Sequence, residues 1–179
     1  MIRENIIKKL VAGKDVLDVG GVGQTSAYCL WNEIKSSARN LTGIDISSSN
    51  NPDIALGNME NYDFKRKFEV IILGDVLEHV DNQGLLLDNV RKHLKSDGLL
   101  IITTPNAKWP TVFKTTNPTH TLWHDHSTLS VILARHGFTI INFKYYYGNK
   151  LDYNIFLRPL ILRQGMLVVC KIREGHESR

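Results

Sequence analysis

Cysteine is scarce in this chain: Cys29 and Cys170 are the only two in 179 residues, and each sits inside an apolar segment. So few thiols exclude a disulfide framework and point to a reducing, cytoplasmic setting in which both are buried. No apolar run approaches the ~18 residues needed to cross a bilayer, so no membrane span is expected. The stretch Met1–Leu10 alternates charge and apolarity within a few positions and lacks the unbroken apolar core of a signal peptide. Repeats, low-complexity tracts and linker-like segments are missing too, which leaves residues 1–179 as one expected domain. Charge of one sign is thin. The formal net charge is +4, and the basic residues fall in small groups (Lys8-Lys9, Lys65-Arg66-Lys67, Arg91-Lys92 with Lys95). A nucleic-acid partner would leave a denser footprint. An anionic small substrate is compatible with these groups, although they read first as solvated surface.

What the chain does contain is an ordinary globular balance, 42% hydrophobic and 22% charged residues, arranged in a rhythm of short apolar strands and helix-period segments. Strand-like runs occur at Asp15–Val19, Asn40–Ile44, Asp53–Leu56, Glu69–Leu73, Leu99–Thr104, Thr139–Tyr145 and Met166–Ile172. Between them, Ala27, Leu30, Trp31 and Ile34 make one apolar helix face, as do Leu86 or Leu87, Val90 and Leu94, with Gly98 placed as a helix stop. Ser127 is the expected cap of a further helix carrying Leu129, Ile132 and Leu133 and ending at Gly137. The pattern predicts an α/β fold with a Rossmann-like, doubly wound, seven-stranded sheet. The sheet should be mainly parallel. Only about twenty residues without a clear helix join the last two strands, so the final strand is expected to run antiparallel.

In such a sheet, ligands bind beyond the carboxyl ends of the strands near the switch point. The first strand ends in Gly20-Gly21-Val22-Gly23, where glycines let the backbone turn sharply and approach a ligand closely. Neither a P-loop Lys-Ser/Thr nor the dinucleotide spacing of glycines follows. Asp45 ends the second strand, and a carboxylate there can accept both hydroxyls of a ribose; it can equally cap the turn through Ser47, Ser48 and Ser49.

With these residues in place, the chain resembles the class I S-adenosylmethionine-dependent methyltransferases over nearly its whole length. Val16-Leu17-Asp18-Val19-Gly20 resembles that family's first motif and Gly43-Ile44-Asp45 its ribose motif. Gly57-Asn58-Met59-Glu60 resembles the segment that contacts adenine. Phe68 to Val80, ending Gly74-Asp75-Val76-Leu77-Glu78-His79-Val80, resembles the fourth-strand motif, and Leu94 to Asn106 the helix, turn and fifth strand. The resemblance implies S-adenosyl-L-methionine as cofactor, contacted by Asp18, Gly20, Gly21, Gly23, Asp45, Ile46, Asn58, Met59 and Asp75. Departures occur at Val22 and Gln24, where the family commonly has glycine, and at Asn58, where Asp is usual; Asn58 can still hydrogen-bond the adenine amino group through its side-chain oxygen.

Methyl transfer from a sulfonium is an in-line displacement that depends on holding the acceptor on axis, and a hydroxyl acceptor must also lose a proton. Candidate bases fall in two places. Asp75, Glu78 and His79 follow the fourth strand, while His120, His124, Asp125 and His126 lie after the fifth, with Trp109 and Trp123 beside them. The expected catalytic residues are His79, His124 and Asp75. The aromatics of the long 105–126 loop are candidates to line an acceptor pocket, and His126 to settle the helix start. His120 and His124 have a metal-ligand spacing, but Pro118 and Thr119 argue against a helix there, so no metal is expected. The stretch from Tyr145 to Arg163 is apolar and suits a partner chain, a lipid-like acceptor or packing over the sheet edge.

The sequence therefore predicts a methyltransferase for a small-molecule acceptor, acting on oxygen. Two rival readings remain: metal-assisted 2′-O-methylation of an RNA terminal ribose, suggested by Glu78-His79 plus a later histidine, and a cofactor-binding domain without turnover, suggested by Val22 and Gln24. The oligomeric state stays open, a homodimer among the options.

Overall fold

The computed structural model describes residues 2–22, 30–109, 118–147, 150–151 and 163–175. Eight strands form one sheet: β1 (Asp15–Val19), β2 (Asn40–Asp45), β3 (Ile54–Leu56), β4 (Phe68–Gly74), β5 (Leu94–Pro105), β6 (Phe138–Tyr147), β7 (Lys150–Leu151) and β8 (Gly165–Ile172). Their order across the sheet is β3-β2-β1-β4-β5-β8-β6-β7. The first five pair in parallel, and β8 runs antiparallel to both β5 and β6. The seven expected strands and the antiparallel last one are thus present, and β7 adds a two-residue pairing at the edge. From β1 the chain builds outward to β3, then returns to lay β4 on the other side. The carboxyl ends of β1 and β4 accordingly meet at the switch point, where a ligand crevice opens.

Side chains alternate between two cores with the strand period of two. Val16, Val70, Ile72, Ile101, Leu167 and Val169 face one layer, filled by Ile7 and Val11 of α1 (Ile2–Val11) and by Leu30 and Ile34 of α2 (Leu30–Lys35). Leu17, Val19, Ile71, Leu73, Leu100, Ile102, Met166, Val168 and Cys170 face the other, covered by α3 (Gln83–His93) and α4 (His126–Arg135) through Leu86, Leu87, Val90, Leu129 and Leu133. Among the described residues no helix is long and apolar enough to cross a membrane.

Several local expectations change. Arg3, Ile7 and Val11, spaced by four, put the buried face on a first helix that the mixed composition of Met1–Leu10 concealed. Gly98 is no helix stop. The helix ends at His93 because Leu94 turns extended to bury its side chain, and Gly98 lies inside β5. A Cβ there would stand 3.0 Å from the Glu69 carbonyl and 2.8 Å from Leu94 Cδ1, so glycine permits the close approach of β5 to β4. Nor does Ser127 cap α4. Asp125 does, its carboxylate accepting from the Thr128 amide in a reciprocal capping box, which makes His126 the first helical residue. Of the expected face on α2, Leu30, Trp31 and Ile34 are buried. Ala27 and Cys29 fall outside the described residues, as do Gln24, residues 110–117 and most of the apolar stretch at 152–162.

Candidate active site

A cavity of about 660 Å³ opens at the switch point, walled by the ends of β1, β2 and β4 and by the segments that follow them. Gly20 stands at its floor with φ +79°, a left-handed conformation that a side chain resists, and an added Cβ would lie 2.6 Å from Val76 Cγ2. Its amide donates to the Ile44 carbonyl at 2.9 Å, clamping the end of β1 to the end of β2. Asp18 is fully buried and does not line the cavity, and neither does Gly21. A Cβ on Gly21 would meet Asp18 Oδ2 at 3.4 Å, so Asp18 supports the turn from beneath. Gly23 lies outside the described residues.

Asp45 is on the cavity wall, 9% exposed, with Ile46 and Ser47 beside it. Its Oδ1 accepts from the Ser47 amide at 2.8 Å and its Oδ2 from the Val22 amide at 2.9 Å. The turn-capping reading of this residue is the one these hydrogen bonds show. It caps its own turn and tethers the glycine turn, and each oxygen keeps a lone pair for a hydroxyl. Asn58 and the buried Met59 line the next part of the wall. The Asn58 oxygen already accepts from the Glu60 amide at 2.9 Å, so the atom expected to meet adenine is shared with that turn.

At the other end of the cavity lie Asp75, Val76, His79, Val80 and Thr119. Asp75 has φ +54°, and its amide is held by the Thr103 carbonyl (2.9 Å) and hydroxyl (3.1 Å). Arg3 Nη1 donates to Asp75 Oδ2 at 3.1 Å and to the Tyr146 hydroxyl at 3.0 Å, while the guanidinium carbon lies 5.0 Å from the Tyr146 ring centre. The sequence gives no hint of Arg3 or Tyr146 as site residues, because they approach Asp75 from opposite ends of the chain. Burial and the Asp75 charge raise the Tyr146 phenol well above its ordinary value.

Glu78 is 1% exposed, and burial, reinforced by the Asp75 charge, pushes its carboxyl up to about 8. Thr104 Oγ1 donates to Glu78 Oε2 at 3.0 Å. His79 is exposed, with Nδ1 3.2 Å from the Thr119 carbonyl and 2.9 Å from the Thr119 hydroxyl. The segment after β5 folds back onto this turn: the Thr121 amide donates to the Glu78 carbonyl at 2.8 Å and its hydroxyl to the Val80 carbonyl at 2.9 Å. His120 is thereby laid edge-on against His79, ring centres 4.6 Å apart.

His124 goes elsewhere. It is 7% exposed, does not line the cavity, and its Nε2 meets Gln83 Oε1 at 2.9 Å. His124, expected to be catalytic, thus stands off the cavity lining with its ring engaged by Gln83, and burial lowers its pKa. Trp109 packs on Tyr147 and Trp123 beside His120, and neither lines the cavity. His126 sits edge-on to Phe143, at the helix start.

Comparison with known proteins agrees with this geometry. The family described as "Methyltransferase domain" matches residues 2–142. The ubiquinone biosynthesis O-methyltransferase of Nitrobacter winogradskyi is 28% identical over 112 residues, 55% of this chain and 41% of that protein. Its counterpart from Bradyrhizobium diazoefficiens is 26% identical over 55% of this chain and 43% of its own length. The chain thus spans about two fifths of these curated relatives. Among solved structures, the N-methyltransferase NodS from Bradyrhizobium japonicum, in complex with S-adenosyl-L-homocysteine, superposes with a TM-score of 0.68 at 16% identity, covering 96% of this chain and 86% of that one. A 1,6-didemethyltoxoflavin-N1-methyltransferase from Burkholderia thailandensis gives 0.67 at 13% identity, covering 96% and 77%. At such identities these structures establish a shared fold.

Proposed function

Because the chain belongs to this methyltransferase family, we propose that it transfers the methyl group of S-adenosyl-L-methionine to an oxygen of a small-molecule acceptor. The observation that carries the reading is Asp45: a carboxylate at the tip of β2 faces the same cavity as Gly20 and Met59. The cavity's volume suits a nucleoside-sized ligand. Asp45 would hold the ribose hydroxyls, Asn58 and Met59 the adenine, and the Gly20 turn the methionine portion. The cofactor supplies an electrophilic methyl on a cationic sulfur. This chain's residues orient the acceptor and exclude water around it; His79, exposed at the cavity wall with Nε2 directed away from Thr119, takes the acceptor's proton. Asp75, held by Arg3 and Tyr146, shapes that end. The names of the curated relatives, both O-methyltransferases, support oxygen as the acceptor atom. The scarcity of cysteine supports a cytoplasmic setting.

Calorimetric titration with S-adenosylhomocysteine tests the reading. The chain should bind it, and Asp45→Ala should weaken binding by tenfold or more, since hydrogen bonds to a charged group are worth about 1.5–3 kcal/mol. Absence of binding at millimolar ligand overturns the cofactor assignment.

A further inference from the structure

We infer that Glu78, His79 and His120 form a binding site for one divalent transition-metal ion at the acceptor end of the cavity. One ligand atom from each of the three lies within 4.8 Å of the other two. An ion with bonds of about 2.0–2.2 Å draws its ligands a little closer than that, which side-chain rotation supplies.

Three further observations are independent of this proximity. Glu78 Oε1 is buried and, in contrast to Oε2, has no hydrogen-bond partner among the described residues. A buried carboxylate oxygen left uncompensated is costly, and a cation is the compensation that the neighbouring imidazoles can hold in place. Second, His79 Nδ1 lies 3.2 Å from the Thr119 carbonyl, which can only accept, and 2.9 Å from its hydroxyl, which can accept too, so the tautomer with the proton on Nδ1 satisfies both contacts. Nε2 is left as a lone-pair donor, the tautomer that a metal requires. Third, Thr104 orients the Glu78 carboxylate from behind. First-rank ligands supported by a backbone carbonyl and a hydroxyl are the usual construction of a metal site.

Two imidazoles and one carboxylate suit Mn²⁺, Fe²⁺, Co²⁺ or Zn²⁺ better than Mg²⁺ or Ca²⁺, which favour all-oxygen sets. Three protein ligands also leave open positions. Of the three ligands His79 lines the cavity, with Glu78 and His120 behind its wall, so the ion would reach the acceptor on the His79 side. This part rests on the methyltransferase reading. A hydroxyl bound to the ion loses its proton to water near neutral pH. Its oxygen then forms the new O–C bond as the C–S⁺ bond breaks, the electron pair staying on sulfur as S-adenosylhomocysteine. With the ion present, His79 serves as ligand and the base role proposed for it passes to solvent.

The test is titration of the full chain with Mn²⁺, followed by electron paramagnetic resonance and calorimetry, with S-adenosylhomocysteine titrated into the same samples. The chain should bind one Mn²⁺. Glu78→Gln and His120→Ala should each weaken it by about tenfold or more. His120→Ala should keep the far-ultraviolet circular dichroism and the S-adenosylhomocysteine affinity of the parent, which separates ligation from folding. No Mn²⁺ binding, or parental affinity in both variants, overturns the site. S-adenosylhomocysteine binding without Mn²⁺ binding overturns the metal site alone. Mn²⁺ binding without S-adenosylhomocysteine binding upholds the site and overturns the cofactor reading.

Discussion

Arg3 Nη1 lies 3.1 Å from Asp75 Oδ2, so the first helix is pinned to the turn that ends the cavity. Arg3 is 9% exposed and also donates to the Tyr146 hydroxyl, which makes one guanidinium the junction of α1, β6 and the turn after β4. Asp75 holds a positive φ, a conformation that surrounding contacts must sustain.

Arg3→Ala should therefore cost about 2 kcal/mol, the range for hydrogen bonds to a charged group. For a chain of this size that lowers the thermal midpoint by roughly 4–8 °C. Arg3→Lys should recover little, because a single ammonium cannot reproduce the fork that reaches carboxylate and phenol while lying over the Tyr146 ring. Differential scanning calorimetry of the two variants decides it; a lysine variant as stable as the parent would show that charge alone suffices.

Gly20 and Val76 make a second coupled pair. Gly20→Ala meets two penalties: a left-handed φ, worth about 1–2 kcal/mol for a residue with a Cβ, and the 2.6 Å approach to Val76 Cγ2. Val76→Ala removes the second and leaves the first. In urea unfolding, the double variant should lose less than the two single losses summed. Strict additivity would mean that the turn shifts freely to admit the methyl group.

Asp125 gives a pH dependence with a defined sign. The Thr128 amide, and then Lys108, hold its carboxyl down at about 2, below the ordinary 3.8. A depressed carboxyl contributes stability that is whole above its unfolded value and is lost as pH falls from 3.8 through about 2. Asp125→Ala should then cost about 1 kcal/mol at pH 7, as helix caps do, and the gap to the parent should close near pH 2. Asp125→Asn should keep most of the cap at pH 7. Denaturant midpoints at the two pH values read the difference directly.

The strands were legible because alternation is a local property: Val16 and Leu17, or Ile71 and Ile72, announce opposite faces in the sequence itself. Gly20, Asp45, Asp75 and His79 were legible as well, since the carboxyl ends of strands are where such a sheet places its ligands. Arg3 and Tyr146 were not, being 143 positions apart and joined only through tertiary packing. The two histidines at 120 and 124 lie outside any helix, as Pro118 and Thr119 indicated. Their spacing of four suggests a shared face, whereas two hydrogen bonds from Thr121 to the turn at Glu78–Val80 set the segment's register and send the rings to different neighbours. Gly98 was misplaced because the helix before it stops for the burial of Leu94 and owes nothing to a left-handed glycine.

His124 supplies the sharpest contrast between a base and a brace. Gln83 Nε2 donates to the Leu77 carbonyl at 2.7 Å, which leaves Gln83 Oε1 as an acceptor, so His124 Nε2 carries the proton that it shares at 2.9 Å. The chain of contacts runs from the segment after β5 to the turn that bears Glu78 and His79. Removing the ring strands a buried amide oxygen, at a cost of about 1–3 kcal/mol. His124→Ala should thus lower the unfolding midpoint while leaving S-adenosylhomocysteine affinity within about twofold, because His124 does not line the cavity. Gln83→Ala should do the same, and the double variant should be little worse than either single one, as members of one network are not additive. In a methyl-transfer assay, a base at His124 would instead lower kcat with an unchanged midpoint and flatten the pH–rate profile on its acid limb. The brace predicts a parental profile shape at temperatures where the variant stays folded, so the two roles separate on stability and pH profile measured side by side.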